Sequence, residues 1–88
     1  MIWKVEFHKD AEKELLKLNP EAQKKIIKFL KERISTHKNP KQFGKLLKKN
    51  LHGLWRYRVT KYRIICQIQD EKLIVLVLKI GHRKNIYS

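Results

Sequence analysis

From Leu54 to Ile65 the chain reads Leu-Trp-Arg-Tyr-Arg-Val-Thr-Lys-Tyr-Arg-Ile-Ile, two runs of alternating character broken at Thr60-Lys61. Alternation of this kind belongs to half-buried strands, whose successive side chains point to opposite faces. If the runs pair across a turn at Thr60-Lys61, Val59 lies opposite Tyr62, Arg58 opposite Arg63, Tyr57 opposite Ile64 and Arg56 opposite Ile65. One face then carries Tyr57 and Ile64, and the other Arg56, Arg58 and Arg63. A sheet of this composition needs a covering layer on its apolar face and leaves the arginine face outward. Like charges directly opposite one another cost roughly 0.2–1 kcal/mol per pair. A fold that keeps them gains something from an anion, and adjacent guanidiniums suit phosphate.

The surrounding charge agrees. Arg33 to Gln69 holds ten Lys/Arg and no Asp or Glu, and the whole chain has 22 Lys/Arg against 8 Asp/Glu, a formal net charge of +14. A polyanion is the default partner. Nucleic acid and an anionic membrane surface both qualify, but a membrane partner requires an amphipathic anchor or a lipidation signal, and neither is visible. The longest apolar run, Leu73 to Leu78, is far below the roughly 20 residues that span a bilayer. Met1 to Glu6 lacks the apolar segment of a signal peptide, and a lone Cys66 suits a reducing compartment, so the expectation is a cytoplasmic protein without a membrane partner. Eighty-eight residues make one small domain, residues 1–88.

Period changes along the chain set out an α+β fold. Trp3, Val5 and Phe7 alternate with Lys4, Glu6 and His8 as an opening strand. Ala11, Leu15 and Leu18 then mark one helix stripe, closed by Asn19-Pro20, where Asn19 caps a second helix and Pro20 takes its first position. Ala22, Ile26, Phe29, Leu30 and Ile34 continue the helical spacing, giving an antiparallel two-helix hairpin that ends at His37-Lys38-Asn39-Pro40. Residues 40–53 read as a polar loop with room for one helical turn, anchored by Phe43, Leu46, Leu47 and Leu51. The two arginine strands follow, then a turn at Asp70-Glu71-Lys72, a central apolar strand from Leu73 to Ile80, and a polar tail over 81–88. The expected order is strand, two helices and a three-stranded antiparallel meander, with the helices on one sheet face. Trp55, Tyr57, Tyr62, Ile64, Cys66 and Ile68 are expected under them.

Metal-free RNA cleavage needs an acceptor for the 2′-hydroxyl proton, donors for the crowded phosphorane and an acid for the 5′-oxygen. The arginines suit the second task and, because a guanidinium keeps its proton in proteins, not the first. His82 is the available acid or base, and equally reads as an exposed loop histidine. Tyr87 reads either as a stacking platform or as a ring packed back on the sheet. Lys38, Lys41, Lys45, Lys48, Lys49 and Lys61 would add salt-sensitive phosphate contacts. The four histidines and Cys66 show no metal-ligand spacing, no phosphate-cradling glycine loop occurs, and all eight carboxylates lie outside the basic stretch. No metal or cofactor is expected.

Three segments together resemble toxins of the RelE/ParE superfamily, on its RelE side: Leu51-His52-Gly53-Leu54-Trp55-Arg56-Tyr57-Arg58-Val59, Tyr62-Arg63-Ile64-Ile65-Cys66, and Ile80-Gly81-His82-Arg83-Lys84-Asn85-Ile86-Tyr87. The resemblance covers essentially the whole chain. It implies the toxin half of a type II toxin–antitoxin pair, a ribosome-dependent mRNA interferase that cleaves in the ribosomal A site by 2′-hydroxyl attack. A cognate RelB-like antitoxin would wrap the toxin, and operator DNA would be bound only through that complex. Catalytic or phosphate-binding roles would fall on Arg56, Arg58, Arg63 and Arg83, with Tyr87 orienting the substrate. Some relatives carry lysines where this chain has Arg56 and Arg58, which leaves the base open and brings His82 forward. A ribosome-independent ribonuclease, a ParE-like gyrase poison of the same fold, and a non-enzymatic basic RNA-binding protein are the competing readings.

Overall fold

The computed structural model describes residues 1–47 and 53–82. In chain order these form β1 (Lys4–Phe7), α1 (Lys9–Leu16), α2 (Pro20–Phe29), a π-helical turn (Leu30–Ile34), a 3-10 turn (Pro40–Phe43), β2 (Lys45–Leu46), β3 (Leu54–Val59), β4 (Tyr62–Gln69) and β5 (Ile74–His82). The sheet has the order β1-β5-β4-β3-β2, with β1 parallel to β5 and the other pairs antiparallel. The fold is the expected α+β arrangement, with β1 joining the meander at its β5 side.

The helices begin where their caps lie. His8 closes β1 and caps α1, its Nδ1 accepting the Asp10 N–H at 3.1 Å. Asn19 Oδ1 accepts the Ala22 N–H at 2.8 Å, and Pro20 occupies the first turn of α2, where its missing N–H costs nothing. Gln23 ties the two helices together by donating from Nε2 to the Leu18 carbonyl at 2.8 Å.

The second helix does not stay α-helical. Ile26, Leu30 and Ile34 recur every four residues and are all buried. On an α-helix each such step drifts about 40° around the axis. The wider turn closed by the Ser35 N–H to the Leu30 carbonyl, at 2.8 Å, absorbs that drift and keeps Ile34 on the core. The segment then ends near Ile34, short of the expected His37–Pro40, and Ser35 and Thr36 turn to bind Trp3: Ser35 Oγ donates to the Trp3 carbonyl at 3.0 Å, and the Trp3 N–H donates to the Thr36 carbonyl at 2.8 Å.

Ala11, Leu15, Ala22, Ile26, Leu30 and Ile34 share one core with Tyr57, Ile64, Cys66, Val75, Val77 and Ile80, while Phe29 and Ile68 pack against it partly exposed. Phe29 meets Tyr57 at 5.6 Å between ring centroids. Burial pushes both the Tyr57 phenol and the Cys66 thiol well above their ordinary values, so both stay neutral.

Three further expectations need correction. Residues 40–46 are not a plain loop: the 3-10 turn leads into β2, a fifth strand. Tyr57 donates its hydroxyl to the Pro40 carbonyl at 2.8 Å, and a Cβ on Gly44 would stand 2.9 Å from both the Arg56 carbonyl and the Tyr57 ring. Only glycine permits that approach, which sets Lys45 opposite Arg56. The last strand runs beyond Ile80 to His82, because Tyr62 pairs with His82 and Arg63 with Gly81. It lies between β1 and β4, while the middle of the five strands is β4.

Candidate nucleic-acid interface

The β3–β4 register is the one read from the sequence: Val59 opposite Tyr62, Arg58 opposite Arg63, Tyr57 opposite Ile64 and Arg56 opposite Ile65. Thr60 and Lys61 do form the connection, with Thr60 at φ +54° in the left-handed region that β-branched residues avoid. Since Tyr57, Ile64 and Cys66 all lie in the helix-side core, alternation puts Arg56, Arg58, Arg63 and Ile65 on the opposite face.

On that face two rows cross the strands. One contains Lys45, Arg56, Ile65 and Lys79; the next contains Arg58, Arg63 and Gly81. Arg58 is exposed, Arg56 half-buried, and Arg63 only 9% exposed. Arg63 is the buried charged residue among those described. Ile65 is 4% exposed although it faces away from the helices. Its neighbours in the row are Arg56 and Lys79, whose methylene stems are long enough to cover an apolar side chain while the charged ends reach water. The Nε of Arg56 is buried without a hydrogen-bond partner among the described residues. Ion pairs among those residues fall elsewhere, at Lys4–Glu6, Lys25–Glu21 and Lys41–Asp70, with a His8–Asp10 contact.

The other expected site residues are distributed differently. Lys45 joins the arginine row through β2. Lys61, at the turn, lies 5.8 Å over the Tyr62 ring. Lys41 is drawn away, 3.2 Å from the Asp70 carboxylate and 5.9 Å over the Trp55 ring. His82 pairs with Tyr62 and meets it edge-on, with ring centroids 6.2 Å apart and an interplanar angle of 81°. It therefore stands on the helix-side face at the end of the sheet, across from the arginines, although Gly81 beside it pairs with Arg63. Arg83, Tyr87, Lys48 and Lys49 lie outside the described residues. Lys79 was not singled out by sequence reasoning, because alternation from Val75 and Val77 would turn it inward. The available signal was the three-residue spacing of the apolar pair Val77 and Ile80, which regular alternation does not produce.

Among the described residues, no helix is long and apolar enough to cross a membrane, and no three of His, Cys, Asp and Glu converge where they could hold a metal ion. The face is a cationic surface built on rigid strands, suited to holding phosphates.

The comparisons place this small α+β domain, with its arginine-bearing sheet face, in a class, the toxins of the RelE/ParE superfamily. The family model described as the ParE toxin of type II toxin–antitoxin system, parDE, matches residues 5–87, and the chain belongs to that family. It is 32% identical over 87 residues to Toxin RelG of Mycobacterium tuberculosis, covering 99% of this chain and 98% of the relative. Its fold superposes on the toxin–antitoxin complex RelBE2 from Mycobacterium tuberculosis with a TM-score of 0.86 at 29% identity, over 97% of this chain and 95% of the matched one. The isolated E. coli RelE toxin gives 0.72 at 25% identity, over 97% and 90%.

Proposed function

We propose that this toxin is a ribosome-dependent endoribonuclease that cleaves mRNA in the ribosomal A site and so arrests translation. The observation that carries the reading is the Arg58–Arg63 cross-strand pair beside Arg56, whose buried Nε lacks a partner among the described residues. A buried N–H on a charged group is costly to leave unmade, and a phosphate oxygen meets that need. In the reaction the 2′-oxygen attacks the adjacent phosphorus, its proton passes to a base, and the bond to the 5′-oxygen breaks as that oxygen takes a proton. Arg56, Arg58 and Arg63 stabilise the charge that gathers on the phosphorane.

Arg83 follows Gly81 by two residues in sequence, and Gly81 pairs with Arg63. Arg83 is assigned to the same phosphate and Tyr87 to the substrate base. Proton transfer is assigned to His82, whose imidazole nitrogens can both donate and accept a proton. Its ring rests against Tyr62 on the opposite face, so this role requires it to swing around the end of β5 when RNA is bound. Lys45, Lys48, Lys49 and Lys61 supply further phosphate contacts. A RelB-like antitoxin is the proposed partner, supported by the RelBE2 complex among the similar structures, with operator DNA reached through that complex.

The test is primer-extension mapping of a defined messenger in reconstituted translation, with ribosomes present or omitted. Ribosome-dependent cuts in the A-site codon, lost in a folded Arg83→Ala protein, are the expected result. Cuts without ribosomes would replace this reading with an independent ribonuclease. The match to a ParE model favours a second reading, a gyrase poison. DNA damage on expression, with no cut messenger, would establish that one instead.

A further inference from the structure

Strand β5 breaks its own alternation. Cys66 pairs with Val77, but the preceding Ile65 pairs with Lys79, so Leu78 and Lys79 together oppose one residue of β4. The consequence is visible in burial: Val77 and Ile80, three positions apart, both lie in the core, while Lys79 is exposed. A bulge of this kind changes which face every later side chain takes, and it re-aims one of them. Without it Lys79 would point into the helix-side core and Ile80 into water. With it Lys79 stands on the arginine face, in one row with Ile65, Arg56 and Lys45.

We propose that Lys79 is a further RNA-positioning residue, holding a backbone phosphate next to the one gripped by Arg58 and Arg63. The proposal rests on the RNA-cleaving function proposed above. Adjacent strands are about 4.8 Å apart and alternate residues of a strand about 7 Å, so Lys79 lies one strand over and one same-face step along from Arg63. The cations thus extend from β2 to β5, across the sheet. Lys79 has no ion-pair partner among the described residues. Strand β1 pairs with β5 only from Ile74 to Val77 and does not run beside position 79. An ammonium on a flexible stem supplies charge without the fixed fork of arginine, so Lys79 suits holding the strand rather than stabilising the reacting phosphorus.

Binding of a labelled single-stranded RNA oligonucleotide, measured against KCl concentration, tests this. The proteins are wild type, Lys79→Ala, Lys79→Arg, Arg58→Ala, and Lys24→Ala, which makes the same charge change on exposed α2 surface. Loss of one phosphate contact should flatten the slope of log K against log salt by about 0.7 in Lys79→Ala. Lys79→Arg should retain the slope and Lys24→Ala should match wild type. On programmed ribosomes Lys79→Ala should raise KM several-fold with kcat nearly unchanged, which a general loss of structure would not do. If Arg58→Ala flattens the slope but Lys79→Ala behaves as Lys24→Ala, the Lys79 assignment is overturned and the RNA function stands. If neither Arg58→Ala nor Lys79→Ala differs from the Lys24→Ala control, the RNA-binding face itself is wrong and Lys79 goes with it.

Discussion

Glu14, on α1, accepts a hydrogen bond from the backbone N–H of Ile80 at 2.9 Å, across 66 positions of sequence. The bond lies just past the bulge, where β1 has ended and β5 has an open edge. A half-buried carboxylate here substitutes for the missing strand, and it anchors the stretch that sets Gly81 opposite Arg63. A hydrogen bond to a charged group contributes about 1.5–3 kcal/mol. Glu14→Ala should lower thermal stability by about that much, and Glu14→Gln, which keeps an acceptor, by less. Equal stability of all three proteins in a thermal melt would show the bond contributes nothing.

Arg58→Ala should leave stability unchanged or slightly raised, because it removes like-charge repulsion of roughly 0.2–1 kcal/mol against Arg63. The same change should depress cleavage at least tenfold. Denaturant titration and the primer-extension assay separate the two effects. A large loss of stability would mean Arg58 serves the fold.

Thr60 holds a left-handed conformation, φ +54°, that glycine and asparagine adopt with less strain. Thr60→Gly and Thr60→Asn should therefore stabilise the domain by about 0.5–1 kcal/mol, after allowing for the greater freedom of an unfolded glycine. For a domain this size that is a rise of about 2–8 °C in Tm. A fall would show that the Thr60 hydroxyl, bonded to the Val59 carbonyl at 2.7 Å, outweighs the strain.

Cys66 has a thiol pushed far above its ordinary value of 9.0 by burial. The folded protein keeps that proton while the unfolded chain releases it, so the contribution to stability is complete below pH 9 and declines as pH rises above it. Tyr57 should act in the same sense above its ordinary value of 10.0. Each group steepens the alkaline loss by at most about 1.4 kcal/mol per pH unit. Cys66→Ala should lose stability less steeply than wild type between pH 9 and 11 in denaturant titrations. Parallel curves would mean the thiol is accessible.

His82 is proposed to carry a proton although its ring rests on Tyr62. His82→Gln should lower kcat and change the shape of the pH–rate profile. A profile unchanged in shape would return His82 to the role of a surface ring packed on Tyr62.

Some of this was written locally. Alternating Trp, Tyr and Arg from 55 to 58 and at 62–63 defined two strands and put Tyr57 and Ile64 on one face, and the turn at Thr60-Lys61 then set their register. Asn19-Pro20 specified a helix start by hydrogen bonding and ring geometry alone. The arginine face followed from the same alternation, because a residue's face in a regular strand depends only on its parity.

The periodic part was therefore legible from the chain alone: the helical stripes, the arginine strands and their cationic side. Tertiary structure decided whatever breaks period. The π-turn at Leu30–Ile34 exists because a four-residue repeat had to stay on the core, and β2 because the Tyr57 hydroxyl and the space at Gly44 draw residues 40–46 against β3. The bulge at Leu78–Lys79 sends Ile80 inward to the core and turns Lys79 outward. The placement of His82 beside Tyr62 follows from that same shift. Each is settled by contacts between residues far apart in the chain, and a local pattern has no term for them.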